Sequence, residues 1–205
     1  KSFFTPDPRW NGKVEYLTEA RDTLGLTMLS LGLDPAEPTR EGCDQAIAVL
    51  QKAKDDGIVR SLKGNSYAED LKSGDAVLVM AWSGDMVQVL VDKPGLKFVI
   101  GDEGGMLWTD NMLIPKGAAH KGTAELLIDY YYQPEVAAEV EAYVNYICPV
   151  KGAEEAMKAR DPEIANNPLI FPPAELSARL RIFGALDEAD ERYVNEQFAK
   201  VLGVG

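Results

Sequence analysis

The stretch Ala76 to Ala81 (Ala-Val-Leu-Val-Met-Ala) constrains the fold more than any other. Six consecutive apolar residues between Gly74 and Gly84 leave no polar face, so a strand made of them needs cover on both sides. This predicts a buried strand of a parallel or mixed sheet with helices packed against it. The flanking sequence supplies such partners. Lys13 to Leu17 reads as a short strand, and Thr18 reads as the N-cap of a helix whose apolar positions run from Leu24 to Leu31 and stop near Gly32. A Pro-rich loop over 34–40 leads to a second amphipathic helix through Ala46, Ile47, Val49 and Leu50. Residues 66–72 read as a short helix closed at Gly74, and 86–91 as another. Further strands are expected at 97–100 and 111–114, the second ended by Pro115, and helices at 121–132, 133–143, 154–158 and 188–202. Pro6 and Pro8 mark an irregular start. Alternating strands and helices predict an α/β fold: a mixed, mostly parallel sheet flanked by helices.

Charge narrows the partners. The 205 residues carry 21 Lys and Arg against 33 Asp and Glu, a formal net charge of −12, which argues against nucleic acid or an anionic membrane as the main partner. No window reaches the ~20 apolar residues that span a bilayer. Cys43 and Cys148 are too few for a disulfide framework or a cysteine zinc site, and the sequence leaves their pairing open. His120 is the single histidine and sits in a polar loop, so a histidine relay or His-rich metal site is not expected. The chain opens Lys1-Ser2-Phe3-Phe4 without a signal-like segment and reads like the middle of a longer protein.

Several groups carry candidate chemistry. Glu19 and Asp22 lie three apart at a helix start, so their carboxylates share a face. They suit ammonium groups through charge-assisted hydrogen bonds, an enzymatic acid/base pair, or plain complementation of the helix dipole; Arg21 is a local partner on another face. Trp82 follows the apolar strand at its C-terminal end, where open α/β sheets bind ligands. Ser83 and Asp85 read as helix caps. Trp108 and Asp110, two apart on an extended segment, would point the same way and suit an ammonium ion held against an indole face. The Gly101–Gly105 turn lacks the Lys-Ser/Thr pair and following helix of a phosphate loop. Tyr130, Tyr131 and Tyr132 splay about 100° apart on a helix and would not converge on a metal. No metal and no cofactor are expected.

The order of these pieces resembles the spermidine/putrescine-binding proteins, the extracytoplasmic receptors of polyamine ABC importers. The resemblance rests on residues 12–22, on Val79-Met80-Ala81-Trp82-Ser83-Gly84, on residues 103–115, on Tyr132-Gln133-Pro134-Glu135-Val136-Ala137-Ala138, and on Asn145-Tyr146. It implies a two-lobed type II periplasmic-binding fold in which acids bind amines and aromatic rings line the methylene chain. It maps ligand-binding roles onto Glu19, Asp22, Trp82, Trp108, Asp110 and Tyr146. The acidic pair is reversed relative to the family pattern, which has Asp and then Glu. A glutamine expected late in spermidine binders has no counterpart near Arg181-Ile182-Phe183, so a shorter diamine or an amino acid such as γ-aminobutyrate stays open. An enzyme using the Glu19 and Asp22 carboxylates is the alternative of a different class. The family layout assigns 1–107 and 150–205 to the C-terminal lobe and 108–149 to an otherwise missing N-terminal lobe. The implied partners are a small cationic amine and an ABC permease, in the periplasm or lipid-anchored at the cell surface. The implied partial lobe exposes apolar surface, which leaves self-association open.

Overall fold

The computed structural model describes residues 3–5 and 7–204; Pro6, part of the expected irregular start, lies outside them. The contacts divide the chain into two compact units, one of Lys1–Ala81, Asp92–Trp108 and Ala178–Gly205, the other of Trp82–Val91 and Thr109–Ser177.

In chain order the elements begin with β1 (Val14–Leu17), α1 (Ala20–Ser30), α2 (Arg40–Asp55), β2 (Val59–Lys63) and α3 (Tyr67–Ser73). Next come β3 (Leu78–Val79), α4 (Ser83–Asp92), β4 (Gly105–Met106), α5 (Lys121–Tyr131) and α6 (Pro134–Val144). The chain finishes with α7 (Ala153–Arg160), α8 (Pro162–Ala165), α9 (Ala174–Ser177), β5 (Leu180–Arg181) and α10 (Glu188–Leu202).

The first unit holds the sheets. β1 is the middle strand of a three-stranded sheet ordered β2-β1-β3, and both neighbours run parallel to it. All four residues of β1 are buried, as a central strand covered on both faces requires. Helix α1 packs on β1 and on α2, and α10 packs on α2. Leu24, Met28, Leu50, Val194, Phe198 and Val201 are all nearly inaccessible and form much of this core. Phe3 and Phe4 cap Tyr16 with ring centroids 5.6 and 5.7 Å away. A second, two-stranded parallel sheet pairs β4 with β5, and Leu107 N donates onward to Arg181 O at 2.8 Å.

The second unit is helical. α6 packs on α7, and α7 on α8. Small residues make close approach easy: Ala138 of α6 meets Met157 of α7 and Ala165 of α8, while Ala137 meets Val150 and Ala153.

Parallel pairing and flanking helices agree with the α/β expectation, but some elements differ. The apolar run is in ladder register only over Leu78–Val79, and it is not covered throughout, since Val77 is 42 % exposed. Residues 97–100 and 111–114 are not strands, and among the described residues the amides of 110–114 donate to no other backbone group. Leu113 is 84 % exposed there. β2 and β5 were not foreseen. Thr18 is not the cap of α1; Glu19 occupies that position with its backbone, accepting from Thr23 N at 3.0 Å.

The centre of the first sheet carries a buried acid. Glu15 is 1 % exposed, accepts a 2.7 Å hydrogen bond from Ser61 Oγ, and lies 3.5 Å from Arg60 Nε. Asp70 sits beside it and is paired with Lys63. Burial raises the Glu15 pKa, the Ser61 bond lowers it, and neighbouring Asp70 raises it further. Glu15 therefore gives most stability in its protonated form: that contribution is complete below the ordinary carboxyl pKa and is lost as pH rises through the raised one. Glu15→Gln copies the protonated acid, so it is expected to leave the melting temperature unchanged at pH 5 and to equal or exceed the native chain at pH 8. A variant that melts lower than native at pH 8 would show that the ionised carboxylate holds the sheet.

Candidate functional site

In the first unit the candidate residues sit where β1 and β2 end. The turn from β1 into α1 is tied down by Thr23, whose hydroxyl donates to Leu17 O at 2.8 Å, and by Thr18 N donating to Lys63 O at 3.2 Å. Glu19 is exposed on this turn and accepts from Thr18 Oγ1 at 3.1 Å. Asp22 is half-buried in the first turn of α1. Both carboxylates thus stand at the C-terminal edge of a parallel sheet, with the positive end of α1 beneath them. The Arg21 guanidinium reaches Glu191 of α10 at 2.5 Å. Trp108 also belongs to this unit, just past the β4–β5 ladder, and is 39 % exposed.

The second unit brings the others together. Trp82 is half-buried and stands immediately before α4, its carbonyl accepting from Met86 N at 3.2 Å. Tyr146 follows α6, which ends at Asn145 in the left-handed conformation (φ 63°). Its phenol donates to Asp85 Oδ1 at 2.9 Å. The ring lies flat against Gly84: a Cβ there would overlap three of its carbons, so only glycine lets the ring reach the start of α4. Burial, the Asp85 bond and charge, and the charge of Asp110 all push the Tyr146 phenol well above its ordinary pKa. Tyr146 therefore stays protonated as a donor at neutral pH. Asp110 is exposed and close enough to act on it.

Asp85 has a role that the sequence does not show: it stands in the first turn of α4, and its carboxylate is engaged by a tyrosine 61 positions away. The available signal was spacing: Trp82 and Asp85 are three apart across a helical turn, so they share a face. Tyr146, Asp85 and Asp110 are thus gathered in the second unit, which also holds Trp82.

The remaining candidates carry no site. Both cysteines are free thiols, and burial raises the pKa of each. His120 is exposed at the start of α5. Among the described residues no group of three or more His, Cys, Asp or Glu could hold a metal ion, and no helix is long and apolar enough to cross a membrane.

Comparison with known proteins gives a consistent picture. The sequence pattern of the bacterial extracellular solute-binding proteins matches residues 3–172. The spermidine/putrescine-binding periplasmic protein 1 of Haemophilus influenzae is 29 % identical over 169 residues, covering 82 % of this chain and 46 % of its own length. The putrescine-binding periplasmic protein PotF of Escherichia coli is 26 % identical over 195 residues, covering 92 % of this chain and 51 % of its own. The chain therefore spans about half the length of the curated relatives it matches. Among solved structures, a Listeria monocytogenes protein provisionally described as a spermidine/putrescine ABC transporter superimposes with a TM-score of 0.84 at 26 % identity, over 98 % of this chain and 60 % of its own. The Tp0655 lipoprotein of Treponema pallidum shares the fold, with a TM-score of 0.79 at 17 % identity over 98 % of this chain and 60 % of its own.

Proposed function

We propose that this chain, which belongs to the bacterial extracellular solute-binding protein family, captures a small polyamine such as putrescine for an ABC importer outside the cytoplasmic membrane. The observation that carries the reading is the Tyr146 phenol bonded to Asp85 with the Asp110 charge acting on it. In the second unit Asp85 and Asp110 pair with an ammonium group and the Trp82 indole covers the adjoining methylenes. In the first unit Glu19, Asp22 and Trp108 offer the same chemistry. The names of the relatives favour the same ligand class, since they bind putrescine or spermidine. A carboxylate on the guest would meet like charge at Asp85 and Asp110, which favours a diamine over γ-aminobutyrate. The chain acts by binding and carries no reaction; the permease is its partner.

Calorimetric titration of the full-length protein with putrescine, spermidine and γ-aminobutyrate tests this. Heat with at least one of the two polyamines is expected, and silence with both would retire the ligand assignment. Asp110→Asn removes a charged acceptor worth about 1.5–3 kcal/mol, so the amine affinity should fall roughly ten- to a hundredfold. An unchanged affinity would show that Asp110 does not touch the guest.

A further inference from the structure

The first unit sets a lysine beside one of the acids assigned to the amine site. Lys63 closes β2, opposite Leu17 in the ladder with β1, and its carbonyl accepts from Thr18 N at 3.2 Å. The turn that carries Glu19 is therefore built directly on Lys63. The Glu19 carboxylate lies over the same corner, since a Cβ on Gly64 would sit 3.8 Å from Glu19 Oε1. Glu19 Oε1 is thus within about 9 Å of Lys63 Cα. An extended lysine side chain spans about 6 Å and a charge-assisted hydrogen bond about 3 Å more, so the Glu19 carboxylate is within the reach of Lys63.

The Lys63 ammonium is turned to other acids. Its Nζ pairs with Asp70 Oδ2 of α3 and lies 3.9 Å from Glu15 Oε1. Asp70 is the stronger hold of the two. Glu15 already has the Ser61 hydroxyl at 2.7 Å and Arg60 Nε at 3.5 Å, and burial favours its protonated form. Asp75, at the rim of the cluster, lies 3.8 Å from Arg60. The Asp70 side chain is only 15 % exposed while Glu19 is exposed, so water screens the pair with Asp70 less than it would a pair with Glu19. With Asp70 neutral that preference is gone, and Glu19 becomes the solvated carboxylate to which Lys63 can turn.

We infer that Asp70 is a positioning residue for the amine site: it holds the Lys63 ammonium beside Glu15 and so keeps it off the Glu19 carboxylate, which Lys63 would otherwise occupy as an internal amine. An ammonium on a short tether competes with a free one for the same oxygen, and the affinity for the guest falls by the fraction of time that Glu19 is taken. The part given to Glu19 in holding a guest rests on the proposed function; the placement of Lys63 does not.

Carbodiimide coupling, read by mass spectrometry with fragmentation to locate the bond, tests this with no guest present, because it joins an amine only to a carboxylate that the amine already meets. The native chain should link Lys63 to Asp70. Asp70→Asn should move the link to Glu19, and Asp70→Asn with Glu19→Gln should remove it. A link that moves to Glu15, or no link at all in Asp70→Asn, would overturn the inference. In calorimetry with putrescine, Asp70→Asn should bind about three- to fivefold more weakly, the weight of one exposed ion pair. Adding Lys63→Met should restore the native affinity. A loss that the second change leaves in place would make Asp70 a support of the sheet and nothing more. Lys63→Met alone covers the case in which Asp70→Asn folds poorly. It should bind putrescine as the native chain does, and a gain or a loss beyond about threefold would sink the inference. Absence of putrescine binding with the cross-links as expected would count against the proposed function alone.

Discussion

Gly84→Ala is expected to lower polyamine affinity at least tenfold and to lower the melting temperature of the protein. The added Cβ would fall on the Tyr146 ring, including the ring carbon nearest its backbone, so the whole side chain must move and not just its tip. Moving the ring breaks the 2.9 Å bond to Asp85 and removes a neutral donor from beside two carboxylates. Alanine is the better helix former by about 1 kcal/mol, so a loss of stability in spite of that gain points to the clash. The double variant Gly84→Ala with Tyr146→Ala separates the two effects. It should regain melting temperature relative to Gly84→Ala while staying weak for the amine. Unchanged affinity and stability in the single variant would mean that the ring does not rest on α4.

Gly184→Ala is expected to cost about 3 kcal/mol, roughly 6–12 °C in melting temperature for a chain of this size. Gly184 N donates to Pro35 O at 2.9 Å, and a Cβ on Gly184 would strike the carbonyl oxygen of Ala36 and come within 2.6 Å of Pro38 Cδ. Both obstacles are backbone or a fixed ring, in a loop bounded by two helices, so neither side can give. Gly25 offers the control. A Cβ there would come within 2.5 Å of Met106 Sδ, which looks as severe, yet the obstacle is the far end of a flexible thioether. Rotation of Met106 and the gain in helix propensity should leave Gly25→Ala within about 1 kcal/mol of native. Thermal melts of the two variants side by side decide the matter. Equal losses would show that the nature of the neighbour is irrelevant.

The helices were legible because each carries its own evidence. α10 runs from Glu188 to Leu202, the expected bounds, and α2 buries Ala46 and Leu50 from the apolar set that marked it. The strands were less legible because pairing is not a local property. Residues 97–100 and 111–114 have strand-forming side chains, but Val99 is 75 % exposed and neither segment has a ladder partner among the described residues. β2 fails in the opposite sense. Val-Arg-Ser-Leu-Lys looks like a polar connection, yet Ser61 and Lys63 are needed at Glu15 and Asp70, a reason that exists only once β1 and α3 are beside them. The acidic and aromatic candidates were visible as residue types; that the fold gathers Tyr146 and Asp110 near one another was not. Asp85 was not, because its short-range role as a helix opener concealed a bond that only folding creates.

The ladder between β1 and β2 slips by one residue, with Val14 opposite Val59 but Glu15 opposite Ser61, so Arg60 is the surplus position. The extra residue is not idle: it sends a guanidinium to within 3.5 Å of the enclosed acid while the pairing resumes on its far side. Deleting Arg60 would leave Ser61 opposite Glu15 in an unbroken ladder and take away only that cation, so the bulge is a means of fitting two polar groups around one carboxyl where a regular strand offers a single position.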